Sequence, residues 1–234
     1  MDICLGIFAH NEKSGIEDML RSLRAQSLFE DPAGVRVLVL ENGSTDGTAE
    51  TARQALAEWY GGVCHDVVEL ERGDKAATWN SFVHERSGDA SVLLFLDADI
   101  HFVGRDTLAN MVRCLDEHPQ AWIVVDHIQK DIALKGTSSV VERLSAGASE
   151  LTTAGAPALA GSLYAARGEA MRRLVLPDRL LVEDGFLKAM TLTDRFTAGE
   201  HLERLVRAPD AAHSFEAVTG MRELFRHECR LAIG

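Results

Sequence analysis

The sequence predicts an α/β fold: a single domain built on a mostly parallel β-sheet with helices on both faces. Short apolar runs alternate with stretches of helical periodicity over residues 1–127, which is the order typical of parallel strands joined by crossover helices. The clearest run, residues 92–96, consists of five apolar residues and indicates a strand that is buried on both faces. It ends abruptly in two acids, Asp97 and Asp99.

The N-terminal half supplies the elements in a regular order. Residues 2–8 form the first predicted strand, and Ser14 with Glu17 has the spacing of a capping box for a helix that ends near residue 26. Asp74 is a candidate N-cap for a later helix. The same patterns predict further strands at 35–41, 67–70, 92–96 and 122–125, and helices at 48–59, 75–86 and 106–117.

The alternation weakens beyond about residue 128, where helices are predicted at 138–150, 183–190 and 219–231 and a strand at 199–208. Residues 158–166 are a run of small residues that fits either a helix or a strand. No repeat, low-complexity tract or linker interrupts the chain, so we expect one domain over residues 1–234.

Composition narrows the class of protein. The 234 residues are 46% hydrophobic and 26% charged, as in ordinary soluble proteins. A net charge of -12 disfavours nucleic acid as a partner. The four cysteines form no CxxC pair and fit reduced thiols. No secretion signal opens the sequence and no apolar run approaches the ~20 residues of a membrane span, so we expect a cytoplasmic protein without a transmembrane segment.

Polar groups follow four of the predicted strands at their carboxyl ends. They lie in the segments 9–12, 41–48, 73–80 and 97–99. Carboxyl ends of parallel strands meet at one edge of a sheet, where ligands bind. The polar groups there include hydrogen-bond acceptors for a base and ribose, a lysine, and acids that suit a divalent cation. Loops at strand ends are polar in any protein, so each residue alone is ambiguous, and the joint pattern favours a nucleotide site.

Six segments resemble family 2 glycosyltransferases of the GT-A fold, in the order in which that family has them. They are FAHNE (8–12), LENGSTDGT (40–48), GDKAATWN (73–80), LDADIHF (96–102), GSLYAAR (161–167) and VEDGFL (182–187). The resemblance implies a Rossmann-like GT-A domain, with a nucleotide-sugar-binding half at 1–127 and an acceptor-binding and catalytic half at 128–234. Glu41 departs from the family pattern, since an Asp is frequent at that position.

The resemblance also implies roles for individual residues. Asp97, Ala98 and Asp99 would contact the donor, with Asp97 facing ribose or metal and Asp99 ligating a Mn²⁺ or Mg²⁺ ion on the diphosphate. His213 lies where some relatives have a further metal ligand; a single histidine after a loop is also often merely exposed. The residues that would line the base and ribose pocket are Ala9, Asn11, Glu12, Glu41, Ser44, Lys75 and Asn80.

Family members invert the anomeric carbon, which requires a base on the acceptor side. Glu183 and Asp184 resemble the family's acidic pair, and Asp184 is the candidate for taking the acceptor proton. The alternative is an acid that stabilises the first turn of a helix. The expected donor is a UDP-sugar, and the expected acceptor is a saccharide or a lipid-linked molecule, as in bacterial polysaccharide, glycolipid or glycoconjugate synthesis.

Two other functions stay open at this point. A pseudoenzyme or scaffold would bind the donor without turnover, and a haloacid-dehalogenase-like phosphatase also carries an Asp-x-Asp, although after its first strand rather than its fourth. The absence of a GxGxxG turn after strand one disfavours dinucleotide binding. A basic C-terminal helix with Arg222, Arg226 and Arg230 either packs on the sheet or makes peripheral contact with the inner face of a membrane.

Overall fold

A mixed β-sheet of eight strands forms the centre of the computed structural model, in the residues that the structure describes, 1–130 and 157–215. The order across the sheet is β3-β2-β1-β4-β7-β6-β8-β5. The strands are β1 (Ile3–Ala9), β2 (Val35–Asn42), β3 (Cys64–Leu70), β4 (Val92–Asp97), β5 (Ile100–Phe102), β6 (Ile123–Lys130), β7 (Leu163–Arg167) and β8 (Leu205–Phe215). Strands β1 to β4 pair in parallel, so the predicted α/β class is confirmed.

Helices cover both faces of this sheet, which explains why β1 and, as far as Leu96, β4 are apolar. Leu20, Leu56 and Met111 of α1, α2 and α4 belong to the core on one face. Trp79 and Leu187 of α3 and α6 belong to the core on the other. The helices of the described residues are α1 (Ile16–Arg24), α2 (Thr48–Trp59), α3 (Lys75–Ser81), α4 (Thr107–Glu117), α5 (Gly168–Met171) and α6 (Glu183–Leu192).

Two helix N-caps were predicted from the sequence, and the structure confirms one of them. The Asp74 side chain accepts hydrogen bonds from the backbone N–H groups of Ala76 and Ala77, as predicted, and α3 continues into a π-helical turn, Phe82–Arg86. The capping box of Ser14 and Glu17 is wrong, because the N-cap of α1 is Gly15 and makes no side-chain bond.

The C-terminal half departs from simple alternation. Strand β7, which begins in the ambiguous run 158–166 and ends at Arg167, inserts between β4 and β6 and is antiparallel to both. Strand β8 runs from 205 to 215 rather than from 199 to 208. The helices predicted at 138–150 and 219–231 lie outside the described residues. No helix that the structure describes is long and apolar enough to cross a membrane.

A stack of aromatic rings fixes α3 on the sheet beneath the strand ends. The rings of Phe95 and Tyr164 stack with centroids 4.3 Å apart, and Trp79 stacks on Phe95 at 5.8 Å. The indole N–H of Trp79 donates to the hydroxyl of Tyr164 at 2.8 Å. This buried, hydrogen-bonded cluster holds the helix that carries Lys75 in a defined position.

Candidate active site

The carboxyl ends of β1, β2 and β4 bring three predicted donor-site residues to one edge. Ala9 is in register with Glu41 on β2, and the residue before it, Phe8, is in register with Asp97 on β4. Adjacent strands lie about 4.8 Å apart. The residues that the sequence placed at separate strand ends therefore lie side by side.

Hydrogen bonds join the loops after β1 and β2 into one surface. The backbone N–H of Asn11 donates to Ser44 Oγ at 3.0 Å, and Asn11 Oδ1 accepts the N–H of Thr45 at 3.0 Å. The buried carboxylate of Glu41 accepts the N–H of Ser44. Asn11 has φ +57°, a conformation that asparagine tolerates better than most residues. The N–H of Glu12 also donates to Oγ1 of Thr48, at the start of α2. Four predicted pocket residues thus lie at this junction of the β1 and β2 ends: Asn11, Glu12, Glu41 and Ser44.

Lys75 connects the Asp-x-Asp turn with the start of α6. Its Nζ lies 2.7 Å and 2.9 Å from the two carboxylate oxygens of Asp97 and 3.2 Å from Oε1 of Glu183. Asp97 ends β4, Lys75 begins α3 and Glu183 begins α6. The ammonium group of Lys75 therefore holds the Asp-x-Asp turn against the acid pair at the start of α6.

Acidic side chains outnumber basic ones at this edge of the sheet, and the pKa values of several of them are shifted. Burial alone would lower the pKa of Lys75, but Asp97 and Glu183 outweigh it and raise that pKa above its usual range. Burial raises the pKa of Asp97, and Lys75 opposes that rise. Burial, Asp99, Asp46 and Asp97 together raise the pKa of Glu12. A divalent cation bound here would relieve the repulsion among these carboxylates.

Asp99 is the exposed acid of the turn that follows β4. The turn is fixed by its backbone: the N–H of Asp97 donates to the carbonyl of Ser162 at 2.8 Å, and that of Ala98 to the carbonyl of Phe8 at 3.0 Å. Carboxylate oxygens are the donors that Mg²⁺ and Mn²⁺ prefer, so the chemistry of the turn fits such an ion. In the described residues no three His, Cys, Asp or Glu side chains are grouped to hold a metal alone, so ligand oxygens would complete the coordination shell.

His213 is fully buried on β8 rather than exposed. Its Nδ1 lies 2.7 Å from Oδ2 of Asp126, and its Nε2 lies 2.9 Å from Oγ of Ser162. Asp126 falls at a shift in register between β6 and β8; burial raises its pKa, and the hydrogen bond from His213 opposes the rise. Since the carbonyl of Ser162 accepts the N–H of Asp97, His213 is connected to the Asp-x-Asp turn. Direct metal ligation by Nε2 would require it to exchange Ser162 for the ion.

Two further predicted site residues have local roles in the structure. Asp184 lies in the first turn of α6, and its Oδ1 accepts the N–H of Gly185 at 2.7 Å. The amide of Asn80 donates to the carbonyl of Leu176 at 2.8 Å and accepts the N–H of Leu176 at 3.0 Å. Asn80 thereby ties α3 to the chain that leads to α6, and its contact with a nucleotide stays a prediction.

Sequence reasoning missed Asp126 and Ser162. Asp126 follows the apolar run 123–125 just as Asp97 follows 92–96, so the same signal of an acid at a strand end was present. Ser162 carries no such signal, because its contacts depend on the antiparallel placement of β7.

The chain belongs to glycosyl transferase family 2, whose sequence model matches residues 4–160. This confirms the resemblance inferred from the six sequence segments. No curated protein sequence matches the chain.

Solved structures show that the fold is that of GT-A glycosyltransferases. A mannosyltransferase, PcManGT from Pyrobaculum calidifontis, determined in complex with GDP-Man and Mn²⁺, is 23% identical with a TM-score of 0.73; the match covers 98% of this chain and 60% of that one. Glucosyl-3-phosphoglycerate synthase from Mycobacterium tuberculosis, in complex with Mn²⁺, UDP and glucosyl-3-phosphoglycerate, is 22% identical with a TM-score of 0.64, over 96% of this chain and 75% of that one. The chain thus spans about three fifths of the length of the mannosyltransferase.

Proposed function

We propose that this chain is an inverting, divalent-metal-dependent glycosyltransferase that moves a hexosyl group from a nucleoside-diphosphate sugar to an acceptor hydroxyl. The observation that carries the proposal is the contact of Lys75 with both Asp97 and Glu183. It brings the Asp-x-Asp turn and the acid pair of α6 to one point, which is where a sugar must lie between its diphosphate and its acceptor.

The donor side of the proposal rests on the tied loops after β1 and β2. Ala9, Asn11, Glu12, Glu41 and Ser44 would bind the base and ribose, and a UDP-sugar is our expected donor. Two relatives of this fold are described with GDP-Man and with UDP, which supports a nucleoside diphosphate and leaves the base to be determined.

Asp99 is the proposed principal ligand of a Mn²⁺ or Mg²⁺ ion, with Asp97 and His213 as further candidates. Such an ion, when bound, supplies Lewis-acid stabilisation of the charge that develops on the leaving diphosphate. Asp97 shares its oxygens with Lys75, whereas Asp99 is exposed and is free of this competition. We therefore place the ion nearest to Asp99.

Asp184 is the proposed general base. Glu183 is held by Lys75, which directs it toward the Asp-x-Asp turn and away from an acceptor. Asp184 gives one oxygen to the N–H of Gly185 and retains the other for the acceptor hydroxyl. Proton removal by Asp184 allows the hydroxyl to attack the face of the sugar opposite the diphosphate. The acceptor is a saccharide or a lipid-linked molecule, and the enzyme acts in the cytoplasm, in solution or at the inner face of a membrane.

A thermal-shift panel of nucleotide sugars with and without Mn²⁺ tests the donor assignment. A ligand at ~100 times its dissociation constant adds roughly 2.7 kcal/mol of stability, which corresponds to roughly 5–11 °C in Tm for a chain of this size. The best donor then serves in turnover assays that measure nucleoside diphosphate release with an acceptor present.

Asp184→Asn separates chemistry from binding. We expect donor affinity to persist and kcat to fall by ~10²–10⁴-fold, the usual contribution of a positioned general base. Asp116→Asn, an exposed change on α4 at the opposite face of the sheet, is the matched control and should leave turnover unchanged. Near-normal turnover of the Asp184 variant would move the base to Glu183.

A wild-type chain that binds donor but releases no diphosphate would be a scaffold, and release of inorganic phosphate would indicate a phosphatase.

A further inference from the structure

Arg207 differs from the other half-buried arginines of the segment 157–215. Arg167 and Arg172 donate to backbone carbonyls. Arg204 lies 3.9 Å from the ring centre of Trp122 and also pairs with an aspartate. Arg207 Nε is buried, and within the described segments it has no hydrogen-bond partner and no acid forms an ion pair with this side chain.

The register of the sheet places Arg207 on the acceptor side of the proposed site. Arg207 on β8 is paired with Val125 on β6, which is paired with Tyr164 on β7. These three residues form one row on the face that α6 covers, so Arg207 lies two strands, or about 10 Å, from Tyr164.

The catalytic acids are near the other end of this row. Asp97 lies two residues beyond Phe95, the partner of Tyr164 on β4, and so projects from the same face as Tyr164. Glu183 is joined to Asp97 through Lys75. Burial raises the pKa of Tyr164, the hydrogen bond from Trp79 opposes this rise, and the three carboxylates of Glu183, Asp97 and Asp184 add to it. Strands β6 and β8 are parallel, and α6 begins at the carboxyl edge with Glu183 and Asp184. Asp184 and Arg207 therefore lie on the same face of the sheet, at opposite ends of this row.

A buried guanidinium nitrogen without an acceptor is destabilising. Such a group is explained when a ligand supplies the missing acceptor. The planar fork of arginine matches phosphate and carboxylate oxygens. The diphosphate of the donor is not that ligand, since the ion that we propose for it lies nearest to Asp99, in the turn that follows β4.

We propose that Arg207 binds an anionic group, a phosphate or a carboxylate, of the acceptor. This inference rests on the proposed function and defines its acceptor class. The anion is held at Arg207 while the acceptor hydroxyl is presented to Asp184, so Arg207 selects charged over neutral acceptors in a chain whose net charge is -12.

Calorimetry with small probes tests this assignment, with nucleoside diphosphate and Mn²⁺ present at saturation so that the donor site is filled. The probes are glycerol 3-phosphate, glycerate and glycerol, which separate phosphate, carboxylate and neutral recognition. We expect at least one anionic probe to bind and glycerol not to bind. Arg207→Gln should weaken anion binding by about ten- to a hundredfold, as expected for loss of charge-assisted hydrogen bonds, and Arg207→Lys should weaken it less.

The controls distinguish this proposal from the function on which it rests. Arg113→Gln removes an exposed arginine of α4 and should leave probe binding unchanged. Nucleoside diphosphate binding should be the same in wild type and in both Arg207 variants, which also shows that they are folded. Failure of wild type to bind nucleotide would refute the proposed function. Normal nucleotide binding with no anion binding, or with anion binding that Arg207→Gln leaves unchanged, would overturn the role of Arg207.

Discussion

Replacement of Lys75 by methionine is the most informative test of how the site is held together. The change keeps the unbranched side chain as far as the Cε position and removes the charged ammonium group. Asp97 and Glu183, which lie 2.7 Å and 3.2 Å from Nζ, then lose their shared cation. We expect the two carboxylates to repel each other across the start of α3 and α6.

The partial exposure of these groups sets the size of the effect. Removal of one partner from a fully buried ion pair costs about 3–5 kcal/mol, whereas an exposed pair contributes about 0–1 kcal/mol. The side chains of Lys75, Asp97 and Glu183 are 32%, 25% and 17% exposed, between these limits. We therefore expect a loss of about 2 kcal/mol in the free energy of unfolding, or about 4–8 °C in Tm.

Thermal unfolding of Lys75→Met should be compared with that of Arg53→Met. Arg53 pairs with Glu69, and both side chains are about half exposed at 44% and 57%, so its loss should destabilise the protein much less than the loss of Lys75. Addition of Mn²⁺ should raise the Tm of Lys75→Met more than that of wild type, because the ion replaces the missing positive charge. Equal losses for the two variants, or no extra stabilisation by Mn²⁺, would refute the reasoning.

Two further predictions concern the half-buried Glu12 and the buried Asp126. The pKa of Glu12 is raised in the folded protein. Its contribution to stability is therefore present below its ordinary pKa of 4.5 and is lost as the pH rises through the higher folded value. Glu12→Gln should raise the Tm at pH 7 and flatten the decline of Tm between about pH 4.5 and 7, and an unchanged pH profile of Tm would contradict this. Asp126→Ala leaves Nδ1 of the buried His213 unpaired and should cost about 1.5–3 kcal/mol in denaturant unfolding, whereas a loss no larger than that of the exposed control Asp116→Ala would contradict it.

Local signals predicted the parts of the fold that depend on neighbouring residues. Helix α2 (Thr48–Trp59) and the Asp74 cap match the prediction, because apolar periodicity and caps lie within a few residues of one another. The Ser14 capping box failed because a turn forms first: the N–H groups of Gly15 and Ile16 both donate to the carbonyl of Glu12, and the helix begins only after this turn.

Features that depend on strand pairing could not be predicted from the sequence. The insertion of β7 between β4 and β6 brings Ser162 to both Asp97 and His213. The register shift between β6 and β8 leaves Asp126 beside His213. The placement of Arg207 in one row with Tyr164 also requires the observed register. Each contact joins residues that are far apart along the chain, and no local spacing indicates it.

The family segments predicted which residues belong to the site, and the structure shows how some of them meet. The sequence placed Lys75 among the residues of the base and ribose pocket. In the structure its ammonium group contacts Asp97 and Glu183, and this shared contact follows from where α3 and α6 begin rather than from any spacing in the sequence.

Calorimetric titration of UDP and GDP into wild type and Asp99→Ala, with Mn²⁺ and with chelator, tests the central claim most directly. The account predicts that Mn²⁺ strengthens binding of at least one nucleotide to wild type. Asp99→Ala should lose that strengthening and remain folded, with a Tm equal to or slightly above that of wild type because one acid of the cluster is gone. Metal-dependent nucleotide binding that is unchanged in Asp99→Ala would contradict the account.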